Sequence, residues 1–196
     1  MFYETALNNH GLAQDPFKAL VMPRPIGWIS TVNKNGVDNL APYSFFNAFS
    51  TEPYYVAFGS GGYKDTLTNI STTGEFAVNM ATFDLREAMN LTSTAQGGDE
   101  FEMAGLQKAR CQLIAASRVA ESPVCLECRH FQTVSLPADN GVAQDFMVIG
   151  RVIGVHIEDR FIENGRVNSA AMKPILRMGY SEYATVDSAW RMRRPV

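Results

Sequence analysis

IGWISTVNKNGVDNLAPY, residues 26–43, is the stretch from which the fold can be read. Residues 26–32 are rich in β-branched and aromatic side chains, which favour an extended strand. Asn33, Lys34, Asn35 and Gly36 then supply turn residues, and a second extended run continues to Tyr43. Two extended segments on either side of a short Asn-Gly connection form a hairpin, and a hairpin makes its pairing antiparallel. Working outward, further strands are predicted over residues 54–58, 75–80, 124–136 and 146–157. Helices are fewer. One is predicted from Asp65, read as its N-cap, to just before Gly74, a residue suited to the C′ position. A second begins at Asp84, with Glu87 at capping-box spacing and Leu85, Ala88, Met89 and Leu91 as its apolar stripe. Several strands with few helices predict a mainly β protein, a closed or nearly closed barrel flanked by helices.

Composition narrows the function classes. The 196 residues show no Pro/Gly/Ser-rich linker or repeat, so a single domain over 1–196 is expected, long enough to bury a core without metal or disulfide staples. Hydrophobic residues make up 46% and charged residues 19%, the balance of a globular protein. A net charge of −3 gives no basic field, so nucleic acid is not an expected partner. Arg191, Arg193 and Arg194 form the one basic cluster and read as a solvated tail. The first residues lack the basic start and apolar centre of a signal peptide. No apolar run approaches the roughly 20 residues that cross a bilayer. A cytoplasmic protein with no membrane partner is expected.

The cysteines and histidines argue against several other chemistries. Cys111, Cys125 and Cys128 are an odd number, as suits reduced thiols. Cys125 and Cys128 form a C-x-x-C, but within β-favouring sequence, where residues three apart face opposite ways. They read as ordinary strand cysteines. His10, His130 and His156 are scattered without ligand spacing, so no metal site is expected. The absence of a G-x-S-x-G elbow counts against hydrolase chemistry.

Between Tyr43 and Phe58, aromatic residues fall on both parities of an extended chain. A half-exposed strand carries them on one parity only. Both sides of this region therefore need cover: one from the barrel core, the other from a subunit partner or a flat ligand.

Three segments carry the candidate chemistry: PRPIGWIST (23–31), NLAPYSFFN (39–47) and GSGGYKDTL (59–67). The third has the features of a phosphate cradle. Its glycines permit close backbone approach, Lys64 adds a positive charge, and a helix N-terminus follows. Neither a Walker A loop nor a dinucleotide-binding G-x-G-x-x-G is present. Ser30, Thr31, Ser44 and Asn47 are small polar groups among apolar neighbours and require partners, which a flavin's pyrimidine edge, ribityl chain and phosphate offer.

Taken in this order and spacing, the three segments resemble the flavin reductase-like, FMN-binding split-barrel family, in particular its flavoredoxin-like branch. EFAVNM (75–80) and DEFEMAGL (99–106) are similar to the family too. The resemblance implies a six-stranded antiparallel Greek-key split barrel and a homodimer with FMN near its interface. It places Trp28, Ile29, Ser30 and Thr31 beside the flavin and its phosphate tail. Ser44, Phe45, Phe46 and Asn47 would lie along the isoalloxazine ring, and Lys64, Asp65 and Thr66 would close over the phosphate. The implied activity is electron transfer from NAD(P)H, through FMN, to free flavin, a metal complex or a partner protein such as a monooxygenase. The alternative is a flavoredoxin-type carrier with tightly bound FMN and no nicotinamide turnover. No catalytic acid or base is expected, because the hard chemistry belongs to the cofactor. Two positions depart from the family pattern: Tyr54 follows Pro53 where a second proline is frequent, and Tyr180 stands where glycine is frequent. An aromatic at 180 is expected to narrow the nicotinamide side of the pocket.

Overall fold

In the computed structural model, which describes residues 1–94, 97–139 and 141–195, the hairpin forms where the sequence places it. Strand β1 (Gly27–Val32) pairs antiparallel with β2 (Asp38–Tyr43). Asn33 shapes the turn: its Oδ1 accepts the N–H groups of Asn35 and Val37. Gly36 completes it at φ 79°, a left-handed conformation that glycine enters without a Cβ clash. Five more strands follow: β3 (Phe46–Thr51), β4 (Tyr54–Gly61), β5 (Glu75–Met80), β6 (Val124–Pro137) and β7 (Ala143–Ile157). Their order across the sheet is β2-β1-β5-β6-β7-β4-β3, with every pairing antiparallel. The sheet thus has seven strands where six were expected. The additional one, β3, lies in the aromatic stretch whose two-sided pattern hides a strand's alternation.

That order dictates the shape. Strands β2 and β3 occupy opposite edges, yet only Ser44 and Phe45 separate them in the chain. Three Cα steps reach at most about 11 Å. The two edges are therefore brought together, and the sheet rolls into a barrel whose seam lies at this link. It is a split barrel, and the split falls inside the NLAPYSFFN segment.

Two clusters fill the inside and cover the outside. The interior holds Ile29, Tyr43, Phe58, Phe76, Cys128 and Val148, joined by Leu67 and Ile70 from helix α1 (Asp65–Thr73). Gly150 makes room for Phe76: a Cβ there would lie 2.3 Å from the ring. On the other side of β1, Trp28 and Leu40 meet Met89, Phe101 and Val119. These come from α2 (Arg86–Leu91), α3 (Glu100–Met103) and the chain after them. Strand β1 is thereby covered on both faces, which accounts for its nearly unbroken burial. Burying each large apolar side chain contributes roughly 1.5–3 kcal/mol. Cys125 and Cys128 are both buried free thiols, Cys125 in an outer cluster and Cys128 in the interior, as their spacing on a strand predicts.

The helix starts differ from expectation. Asp65 is the first residue of α1 and Lys64 holds the cap position, with no side chain capping the first amides. The C-terminus is as expected: Gly74 at φ 72° donates its N–H to Ile70 O. The Asp84 capping box does not form. A turn through Thr82–Leu85 delivers the chain instead, and α2 starts at Arg86 with Leu85 at its cap. Leu91 is exposed, while Met89 carries the apolar face. No described helix is long and apolar enough to cross a membrane.

Candidate functional site

Beside the barrel seam lies an open cavity of about 710 Å³, walled by Arg24, Pro25, Phe45, Phe46, Asn47 and Gly59. Its outer rim is apolar, with Phe17, Leu20, Met22, Phe49 and Leu136. The geometry follows from close packing of strands and rings. A Cβ on Gly27 would lie 2.8 Å from the Phe46 ring, and one on Gly59 would lie 3.1 Å from the Phe45 Cβ. Gly59 also donates its N–H to Phe45 O at 2.7 Å, fixing the seam residue against β4. Glycines at 27 and 59 thus let two aromatic residues lie flat against backbone. A second cavity, of about 640 Å³, lies between the 162–167 hairpin and Trp190, away from the three motifs.

Arg24 is the charged residue of this wall, and it is 6% exposed. Its guanidinium donates to the carbonyls of Lys18, Val21 and Met178, and its Nε has no partner. It also sits 5.6 Å from the centre of the Phe45 ring. Burial and the nearby Arg177 push its pKa below the ordinary arginine value. The cavity therefore has a cationic floor solvated by backbone carbonyls rather than paired with a carboxylate. Within PRPIGWIST the sequence pattern alone gives Arg24 no role. The signal was available in retrospect: an arginine between two prolines, beside an apolar strand, has few neighbours to solvate it.

The four residues expected from β1 have other immediate partners. Trp28 is fully buried and donates Nε1–H to Thr92 Oγ1 at 2.8 Å. Ile29 points into the barrel. Ser30 donates to Ser117 O and accepts from Asn79 Nδ2, and Thr31 accepts from Asn69 Nδ2. Their hydroxyls are thus bonded within the protein, and none of the four side chains borders the cavity. Phe45, Phe46 and Asn47 do border it, with Ser44 half-buried in the same link. Asn47 Oδ1 accepts the N–H of Ala48.

The third segment leads from the cavity along β4 to the start of α1. Lys64 and Asp65 are exposed there, whereas Thr66 is buried and accepts a hydrogen bond from Asn39 Nδ2 at 3.0 Å. The uncapped first turn of this nine-residue helix leaves amide donors free, which favours an anion. Below it is a polar layer that the sequence pattern does not show: Asn39 and Tyr43 from β2 and Ser60 from β4. Burial raises the Tyr43 pKa, while hydrogen bonds to Thr66 and Ser60 act against the rise. Residues so distant in sequence come together only through the strand order.

Two other expectations concern single residues. Tyr180 does not border the cavity. It lies in the turn that joins Ile175–Arg177 to Tyr183–Thr185, at φ 54°, with its carbonyl accepting from Arg177. A left-handed φ is the physical reason glycine suits this position. His130 pairs its Nε2 with Thr133 Oγ1 at 2.9 Å and is likewise not part of the cavity wall.

With this geometry in hand, comparison with known proteins is informative. The flavin reductase like domain model matches residues 19–172. An uncharacterized protein of Aquifex aeolicus is 35% identical over 172 residues, covering 84% of this chain and 85% of that relative. Nitrilotriacetate monooxygenase component B from Bacillus cereus superposes with a TM-score of 0.87 at 28% identity, over 98% of this chain and 100% of that one. The 2-nitrobenzoate 2-nitroreductase NbaA of Pseudomonas fluorescens gives a TM-score of 0.87 at 25% identity, over 100% and 96%.

Proposed function

Because the chain belongs to the flavin reductase-like family, we propose that it is an FMN-dependent oxidoreductase that draws electrons from NAD(P)H. The observation that carries this reading is the aromatic cavity surface at Arg24, Phe45 and Gly59, from which the chain of β4 runs on to the uncapped N-terminus of α1 at Lys64. That surface suits a ligand with a flat apolar ring at one end and an anion at the other. The residues present fit FMN: a cavity of about 710 Å³ is within the roughly 300–1,000 Å³ typical of cofactor sites.

In this reading Phe45 and Phe46 hold the ring plane, and Asn47 addresses a polar edge. Lys64 and the first amides of α1 bind the phosphate, Asp65 opens the helix beside them, and Thr66 supports the loop through Asn39. Trp28, Ile29, Ser30 and Thr31 act as the rigid wall that fixes β1, offering the ligand backbone rather than side chains. The cofactor supplies the hydride-accepting ring, so the protein needs to bind, orient and exclude water rather than to provide an acid or base. Arg24 contributes a positive field beside the ring without a neutralising carboxylate, which favours the arrival of electrons.

The apolar rim gives the partners. Phe17, Leu20 and Phe49 are exposed around the cavity, an area of the kind that marks association surfaces. A symmetric homodimer covering this rim is proposed, with electrons passing to free flavin or to a monooxygenase component. The decisive experiment is the absorption spectrum of the purified protein, followed by anaerobic addition of NADH or NADPH. A flavin spectrum that bleaches on addition is expected. A flavin spectrum that persists would point to an electron carrier fed by another protein, and no flavin binding would overturn the proposal. Sedimentation at micromolar concentration is expected to give twice the chain mass.

A further inference from the structure

The C-x-x-C motif divides its cysteines between the two faces of β6, and the outward one lies in a cluster that the electron-transfer reading does not use. In the β6–β7 ladder, His156 stands opposite Cys125 and Gly154 opposite Glu127. A register shift between Val152 and Gly154 precedes them. Cys125, Glu127 and His156 therefore share the outer face of the barrel. Cys111, just after the short strand Lys108–Arg110, covers them from above. One donor atom from each of Cys111, Glu127 and His156 lies within 4.8 Å of the other two.

Glu127 is the unusual member. It is 1% exposed, and its bonded partners are the N–H groups of Gln112 and Leu113, at 2.7 and 2.6 Å, and His156 Nε2 at 2.5 Å. No lysine or arginine forms an ion pair with it among the described residues. Burial alone would raise its pKa, but the two amides and His156 outweigh that and hold it below the ordinary value. It is thus a buried carboxylate oriented by backbone. Cys125 hydrogen-bonds to Cys111, and burial with that bond pushes its own pKa far up. His156 is about a quarter exposed, which gives an ion a way in.

We propose that Cys111, Glu127 and His156 form a zinc-class metal site that pins the Cys111 segment to the outer face of the barrel. One sulfur, one nitrogen and one oxygen are a donor set that zinc accepts, with water completing four-coordination. Tetrahedral bonds of about 2.0–2.3 Å place donor atoms about 3.3–3.6 Å apart. The wider separations in the cluster must close by about 1 Å, and the His156–Glu127 pair must open by a similar amount. Both are side-chain adjustments, the larger on the partly exposed histidine. Binding zinc through the Cys111 sulfur releases the thiol proton. No residue of this cluster borders the flavin cavity, so the two sites can be tested separately.

The test is a zinc titration of the metal-stripped protein in competition with a chromophoric chelator, together with cobalt(II) substitution. One zinc per chain is expected. Cys111→Ser and His156→Ala should each weaken binding at least tenfold while leaving FMN binding unchanged. Cobalt(II) should give sulfur-to-metal charge-transfer absorption in the wild-type protein, a readout that requires no variant to fold. Failure to hold zinc at micromolar concentration would overturn the proposal and leave a self-sufficient hydrogen-bond network. So would cobalt bound without that absorption, or variants that fold and keep full zinc affinity.

Discussion

Lys64→Ala separates phosphate anchoring from ring binding. Lys64 is exposed at the cap position of α1, whose first amides have no side-chain cap. A charge-assisted hydrogen bond contributes about 1.5–3 kcal/mol. Exposure and screening by salt bring this cation to the low end, about 1.5 kcal/mol. The helix N-terminus remains in the variant and keeps its own contribution of about 0.3–1 kcal/mol. FMN should therefore bind roughly tenfold more weakly, since 1.4 kcal/mol is a factor of ten. Riboflavin, which has no phosphate, should bind the variant and the wild type alike. The gap between FMN and riboflavin should also shrink in the wild type as salt is raised. Titration of both ligands into apo protein, followed by flavin fluorescence, measures all of this. Equal weakening of FMN and riboflavin would refute the reasoning, because it would mean that Lys64 supports the ring or the fold and not the phosphate.

Three further outcomes follow from the packing and the buried charges. Gly150→Ala, whose Cβ would lie 2.3 Å from the Phe76 ring, should destabilise by about 3 kcal/mol or prevent folding. Phe76→Leu in the same chain should recover part of that loss, and chemical denaturation of the two variants would show whether it does. Glu100 is buried, which raises its pKa despite the hydrogen bond it accepts from Leu40 N. The folded protein then holds a proton that the unfolded chain has released, so this residue makes stability fall as pH rises from the ordinary carboxylate value through the raised one. Glu100→Gln keeps an acceptor for Leu40 and should melt higher than wild type at neutral pH; a lower melting temperature there would contradict this account. Tyr180→Gly relieves a left-handed φ worth about 1–2 kcal/mol but adds chain entropy worth up to about 1 kcal/mol. The sum is a gain of about 0–2 kcal/mol with no change in the rate of flavin reduction by NADH, and a faster reduction in stopped flow would restore Tyr180 as a gate.

Much of the barrel was legible because its signals are local. The Asn33–Gly36 turn and the β-branched runs are short-range features, and β5 was bounded to the residue. Strand β3 escaped because its aromatics face both the core and the cavity rim, which erases the alternation that marks a strand. The missed cap at α1 has a similar origin: Asp65 has cap chemistry, but the chain enters the helix one residue earlier. Within the candidate site, Phe45, Phe46 and Asn47 were visible from composition and resemblance. Arg24 was hidden because its role depends on carbonyls at Lys18, Val21 and Met178, the last 154 residues away. The Cys111–Glu127–His156 group was beyond any motif, since a register shift and a strand pairing assemble it.

The seam of the barrel has a mechanical consequence. A pocket in the middle of a continuous hydrogen-bonded wall can widen only by breaking ladder bonds. Here Phe45, part of the cavity wall, sits on a two-residue strap between two edges that share no ladder. Moving the strap costs side-chain contacts and one amide bond, Gly59 to Phe45, while the rest of the sheet keeps its register. The protein therefore has an elastic joint beside its apolar cavity, and a stiff cylinder everywhere else.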